Sequence, residues 1–285
     1  MLTDSFITQQ IHKDIRWLLN SPTLMSLPVK HDATHWLHHQ GHMPQLDEAT
    51  EFELEFWQHR LGYYYENLLN HILTKAIQPI ELKRNIQVRN KTNTLGEYDF
   101  LIRLNDTDTY HIECAVKFYL CTGDGSDLKQ YEGPNRRDRL DLKWNKMLNK
   151  QILLSKTPDG RETTESLNLV PNHTLILIQG YLFYPFSTPP CPQRLHPDIN
   201  PKHQQGWWLR NQQLPTILED QLRYLILNKP YWLSCPELPE NQLMTAEALS
   251  GHLNQQRHPQ LVVRLEITEE GWKEKDRGFV VQNDW

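Results

Sequence analysis

The sequence predicts an α/β fold: a central mixed sheet covered by helices, with N-terminal helices before it and a C-terminal α+β extension after it. Three observations lead there. Segments of helical and strand period follow one another in the order helix, strand, strand, strand, helix, strand, which places helices on a sheet. Leu95 to Leu120, "LGEYDFLIRLNDTDTYHIECAVKFYL", alternates polar and apolar residues on either side of an Asn/Asp-rich turn, as a hairpin does. His173 to Pro185, "HTLILIQGYLFYP", is apolar enough for an interior strand.

At 285 residues the chain can hold one large or two modest domains and bury a sizeable core. The expected division is an N-terminal helical segment over 1–50, a core over 51–185 and the extension over 186–285. Hydrophobic content of 38% and charged content of 23% belong to a globular chain rather than a disordered one. A net charge of -5 argues against a protein that coats nucleic acid by bulk attraction, so any such contact has to come from a local basic surface. The four cysteines, Cys114, Cys121, Cys191 and Cys235, form no C-x-x-C pair, which argues against a disulfide framework or a Cys-rich zinc site and for a cytoplasmic setting. No run of about 18 apolar residues occurs, so no membrane partner is expected.

Phe6 to Leu19 reads as an amphipathic helix through Ile7, Ile11, Ile15 and Leu18, stopped by "NSP" at Asn20 to Pro22. The histidines that follow, His31, His35, His38, His39 and His42, crowd into twelve residues. His35 and His39 are spaced to share a helical face, where they could hold a metal, but the H-E-x-x-H pattern is absent and a histidine-rich connector explains them as well. From Leu46 an acidic stretch leads into a helix ending near Pro79. On it Glu66 shares a face with Tyr63, Leu69 and Leu73, so its carboxylate needs a cation, a hydrogen-bond donor or water. "ELKRNIQVRN" is a strand, and the hairpin comes next.

In that hairpin Glu97, Asp99, Leu101 and Arg103 fall on the side opposite Tyr98, Phe100 and Ile102. On the second strand Glu113, Ala115, Lys117 and Tyr119 oppose Ile112, Cys114, Val116 and Phe118. Two carboxylates and a lysine can therefore meet on one sheet surface. A cross-strand ion pair would account for them. So would a phosphodiester-cleaving site, in which Asp99 and Glu113 hold Mg²⁺ (or Mn²⁺), Lys117 supplies positive charge and Glu66 reaches in from its helix.

Past a Gly/Asp-rich turn, residues 135 to 150 carry six cations (Arg136, Arg137, Arg139, Lys143, Lys146, Lys150) against two anions (Asp138, Asp141). With Leu140, Trp144, Met147, Leu148 and Gln151 on one face, the segment has helical period. It is either a solvated helix or a phosphate-contacting one. The proline-rich stretch from Pro185 to Pro201 is a boundary or long loop. Beyond it come a helix-like run from Leu214 to Leu227 and two strands, "LVVRLEI" and "GFVVQ". Trp207, Trp208, Trp232, Trp272 and Trp285 make this region aromatic, for packing or for stacking on bases.

The ordered set "GYYYE", "GEYDFL", "ECAVK" and the helix with Lys143 and Gln151 resembles the PD-(D/E)XK nuclease superfamily, in particular its Holliday-junction-resolvase-like branch. More of the chain, including "AVKFYL", "GPNRRDRLDLK" and "GWWL", resembles the bacterial family named domain of unknown function 1853, itself placed by similarity in that superfamily. The resemblance implies a three-layer α/β/α sandwich of restriction-endonuclease type and Mg-dependent hydrolysis of nucleic acid, DNA before RNA. It implies Glu66, Asp99 and Glu113 as metal-binding and, with Lys117, catalytic residues. Arg136, Arg137, Arg139, Lys143 and Gln151 are the residues expected to contact nucleic acid. The chain departs from the pattern at Ala115, where the superfamily has an acid two residues before the lysine. Glu113 lies four before, on the same face but about 6.6 Å further along. The competing reading is a nuclease-like module that binds nucleic acid or a protein without cutting.

Overall fold

A computed structural model describes residues 4–39, 60–187, 192 and 194–285. Its helices are α1 (Asp4–Asn20), α2 (Ala33–His39), α3 (Leu61–Ile72), α4 (Leu140–Lys146), α5 (Pro158–Ser166) and α6 (Ala246–Leu253). Its strands are β1 (Glu81–Arg89), β2 (Thr94–Arg103), β3 (Thr109–Cys121), β4 (Tyr131–Glu132), β5 (His173–Pro185), β6 (Gln204–Arg210), β7 (Arg223–Leu227), β8 (Gln260–Thr268) and β9 (Gly271–Val281). These nine strands form one mixed sheet in the order β1-β2-β3-β5-β6-β9-β8-β7, with β4 beside β3. The β1/β2, β2/β3, β7/β8 and β8/β9 pairs are antiparallel, and the β5/β6 and β6/β9 pairs are parallel. The fold is thus the expected α/β class, a large mixed sheet flanked by helices. No helix among the described residues is long and apolar enough to cross a membrane.

Two compact units divide the chain. The first takes 1–116, 141–179 and 197–202; the second takes 117–140, 180–196 and 203–285.

In the first unit α1 buries Ile7, Ile11, Ile15 and Leu18, as their spacing requires. Its last carbonyls, which an α-helix leaves unpaired, are met from outside. The Gln179 amide donates to the Leu18 oxygen at 2.9 Å and to the Ser21 oxygen at 2.6 Å, and the Tyr65 hydroxyl donates back to Gln179 at 2.6 Å. The Asp32 carboxylate starts α2 by accepting from the Thr34 amide at 2.8 Å and the His35 amide at 3.2 Å. α3 runs on as a π-helical turn over Leu73–Ile77 and stops at Gln78, whose φ of 51° is left-handed, just before Pro79. α4 likewise opens into a π-helical turn over Met147–Gln151. Such turns displace side chains from strict helical spacing and recur near functional sites.

In the second unit Trp207, Leu209, Tyr224, Leu249, Val262 and Val280 belong to one buried apolar cluster between β6–β9 and α6. Gly180, at φ 132°, lets β5 cross close to β3, since a Cβ there would lie 1.8 Å from the Lys117 carbonyl oxygen.

Two sequence expectations are corrected. Leu214 to Leu227 is not a helix: a 3₁₀ turn over Asn211–Thr216 contains Pro215, and the β-branched, aromatic end of the segment pairs with β8 as β7. The basic helix begins only at Leu140. Arg136 has a left-handed φ of 55°, and the Gly133 amide bonds the Asp138 carbonyl across a turn, so Arg136, Arg137 and Arg139 precede the helix.

Candidate active site

The antiparallel ladder of β2 and β3 pairs Arg103 with Thr109, Ile102 with Tyr110, Leu101 with His111 and Phe100 with Ile112, and there it ends. The next pair in register would be Asp99 and Glu113. The Asp99 carboxylate instead accepts the Cys114 amide at 2.9 Å, meeting a backbone donor that the ladder no longer serves. Meanwhile β2 stays paired with β1 as far as Thr94. β2 therefore parts from β3 at Asp99, and the fork opens beside two carboxylates.

The surface that the alternation led one to expect is an interior one. Glu113 is fully buried, and so is His111, two residues earlier on the same face. His111 Nε2 lies 2.7 Å from Glu113 Oε1. The other oxygen accepts from the Gln151 amide, whose carbonyl in turn accepts from Lys143 Nζ at 3.1 Å. Asp99 meets Glu113 through its own amide and its carboxyl. Asp99 acts through its charge on Glu66, on α3, which is also bonded by Asn85.

Acids outnumber cations here. Burial and the neighbouring Glu113 push Asp99 up to about 7; burial and the neighbouring Asp99, helped by Glu97, push Glu66 up to about 7. Burial lifts Glu113 to about 7 as well, against the pull of Lys143 and its hydrogen bonds with Asp99 and Gln151. Burial also drives His111 down to about 4, so at neutral pH its link to Glu113 is a hydrogen bond around a single proton rather than an ion pair. Tyr98 packs edge-on against the His111 ring with centroids 4.7 Å apart, and neither its hydroxyl nor His111 Nδ1 finds a hydrogen-bond partner among the described residues. Close carboxyls that cannot all ionise hold protons at neutral pH until a cation replaces them.

A hard divalent cation fits this donor chemistry on one observation: Asp99 and Glu113 are near enough to share a proton. Mg²⁺ asks for one or two carboxylates and keeps several waters. Among the described residues no group of three or more His, Cys, Asp or Glu is gathered as a metal site. The candidate ligands are therefore the pair, with Glu66 close enough to feel the charge of Asp99.

Of the residues singled out from sequence, the structure brings Glu66, Asp99, Glu113, Lys143 and Gln151 into one network within the first unit. Lys117 belongs to the second unit. There its ammonium bonds Asp138 at 2.6 Å, with the Tyr119 hydroxyl donating to the same oxygen at 3.1 Å. Although burial works the other way, Lys117 holds the Asp138 carboxyl below its usual range. Arg136, Arg137 and Arg139 are also in the second unit. The His35 and His39 rings stack at 3.9 Å, and His39 Nδ1 meets the His35 carbonyl at 2.8 Å. His31 Nδ1 meets the Thr174 carbonyl at 2.8 Å, while His42 lies outside the described residues. Sequence reasoning passed over His111, although its place two residues before Glu113 was enough to put both on one face.

The model of the family described as Domain of unknown function (DUF1853) matches residues 13–281. The chain belongs to that family. No curated protein and no solved structure matches it. The family match spans the network around Glu113 and most of both units, so those residues lie inside the matched region.

Proposed function

We propose that the first unit is a metal-dependent phosphodiester hydrolase acting on nucleic acid, with DNA as the first substrate to test. One observation carries the reading: the Asp99/Glu113 pair at the strand fork, joined through Gln151 to the ammonium of Lys143. The PD-(D/E)XK resemblance supports it, because that pattern places a carboxylate pair on such a hairpin and a helix carboxylate, here Glu66, beside it.

When bound, Mg²⁺ would supply a Lewis acid for a phosphate oxygen and lower the pKa of a bound water. Asp99 and Glu113 would hold the ion. Gln151 orients Glu113 by donating to one of its oxygens and accepts from Lys143 with its carbonyl, so the amide cannot flip without losing both bonds. Lys143 places positive charge where a phosphate gains negative charge during attack. Glu66, held near 7, is matched to taking a proton from water at neutral pH. Lys117, tied to Asp138, has a partner of its own, and the lysine of this reading is Lys143.

A second reading has its own support: both oxygens of Glu113 are already hydrogen-bonded, as in a scaffold that binds without cutting. One experiment separates the two. Mg²⁺ and Mn²⁺ are titrated by calorimetry into wild type and Asp99→Asn, and branched, single-stranded and duplex DNA are then incubated with both. Metal binding and cleavage in wild type, lost together in the variant, support hydrolysis. DNA binding without metal uptake or cleavage makes the non-cutting scaffold correct.

A further inference from the structure

The second unit contains a cleft of about 710 Å³, within the size range of small-ligand pockets. It lies among the turn carrying Arg136 and Arg137, the segment after β7 carrying Lys229 and Trp232, the start of β8, and Trp285. Arg136, Arg137 and Lys229 line it and no Asp or Glu side chain is among the lining residues, in a chain whose net charge is -5. That local excess of positive charge marks a place for an anion.

Two of the cations are set on aromatic rings. The Arg136 guanidinium lies 4.5 Å from the Trp285 ring centroid, and the Lys229 ammonium lies 4.5 Å from that of Trp232. A cation held on a ring face keeps N–H donors for a ligand while losing much of its rotational freedom, which favours ligand binding. Glu132 lies 3.5 Å from Arg136 Nε in a partly exposed pair, and such a pair contributes little. Partial burial and the nearby charge of Lys117 depress the Lys229 ammonium, and an arriving anion would relieve both.

The remainder of the lining is not that of a simple anion hole. Leu227 and Leu261 give it an apolar floor beside the two indoles, and the amides of Asn228 and Gln260 can read the donor and acceptor edge of a ring. A ligand that satisfies all of this carries a phosphate and a flat, hydrogen-bonding heterocycle.

We propose that this cleft is a nucleotide-binding site, with the phosphate between Arg136, Arg137 and Lys229 and the base against the apolar floor and indole edges. The nucleotide is either free or the end of a single strand; the chemistry recognised is the same. The site stands whether or not the first unit cuts nucleic acid.

The test uses the full chain in EDTA, so that hydrolysis plays no part. Tryptophan fluorescence and calorimetry follow adenosine and thymidine 5′-monophosphates, the two nucleosides, inorganic phosphate, and a 5′-phosphorylated oligothymidylate. At least one monophosphate binds ten times or more tightly than its nucleoside and than inorganic phosphate. That affinity falls at least tenfold in Arg136→Ala/Arg137→Ala and in Lys229→Ala, all three positions being exposed enough for the variants to fold. It is unchanged in Asp99→Asn, which separates this site from the hydrolytic one. An oligonucleotide that binds more tightly than the monophosphates identifies a strand end as the ligand; equal or weaker binding identifies the free nucleotide. Inorganic phosphate binding as tightly as the monophosphates, affinity unchanged in the cationic variants, or no binding of any monophosphate or oligonucleotide each overturns the proposal.

Discussion

Buried charge is handled in two ways in this molecule. On β8 and β9 of the second unit every buried cation has a matched anion. Arg264 grips its cross-strand partner Asp276 with two bonds of 2.8 and 2.6 Å, and Arg277 grips Glu274 at 2.6 and 2.7 Å while donating to the Trp232 and Leu233 carbonyls. Burial alone would lower the Arg277 pKa, yet Glu274 and Tyr181 raise it. At the fork of β2 and β3 the count is unequal: Asp99, Glu113 and Glu66 face Lys143 and Arg84 across a longer reach, and all three carboxyls are forced upward. A bidentate buried pair has its bonds complete and holds strands together. Carboxyls in excess repel one another, and the fold keeps them only at a cost in stability. That asymmetry, more than burial itself, distinguishes the fork as the candidate site.

Removing charge should therefore have opposite consequences in the two places. The largest effect is on activity: Asp99→Asn lowers Mg-dependent cleavage by about 10²–10³-fold or more while leaving thermal stability equal or higher, because a repelling charge is gone. Lys143→Ala lowers cleavage by about 10²-fold, and Lys117→Ala leaves the rate unchanged. A gel-based cleavage series decides between the two lysines, and the reverse order would return the role to Lys117. In the second unit Arg277→Ala leaves the partly exposed Glu274 and the Trp232 and Leu233 carbonyls without their donor and costs about 1–3 kcal/mol. Denaturant unfolding measures it. A loss under about 1 kcal/mol would show that the arginine pairs are not what fixes β9.

The fork was legible in the sequence as far as alternation could carry it. Parity placed Asp99 and Glu113 on one face, and helical spacing pointed Glu66 toward a partner. Alternation does not say where a ladder stops, so the parting of β2 from β3 and the bond from Cys114 to Asp99 lay beyond it. Nor does it report burial, so the full enclosure of Glu113 could not be read from it. Lys143 and Gln151 were noted as a cationic helix, but the bond between them crosses eight residues and a π-helical turn, outside the i, i+4 rule. The helix expected from Leu214 to Leu227 failed for a plainer reason: local apolar spacing was outweighed by pairing with β8.

The smallest effect, and the one that probes the comparison without any catalytic assay, is on stability against pH. Free carboxyls titrate near 4, whereas Asp99, Glu113 and Glu66 hold their protons to about 7 in the fold. Between those values the folded chain binds more protons than the unfolded one. The stabilisation these groups provide is thus complete below about pH 4 and is lost as pH rises through 7. The Asp138 carboxyl, lowered by Lys117, works the other way: its contribution is present above its ordinary range and fades only on acidification. In EDTA the melting temperature should fall between pH 5.5 and 8. Mg²⁺ should restore it at pH 8, where the carboxylates are free to take the cation, and have little effect at pH 5.5, where protons compete. Asp99→Asn should flatten the pH slope and remove the Mg²⁺ effect, and Asp138→Asn should do neither. A slope identical in wild type and Asp99→Asn would mean that the three carboxyls do not repel one another as the fork geometry requires, and the contrast with the arginine pairs would fail with it.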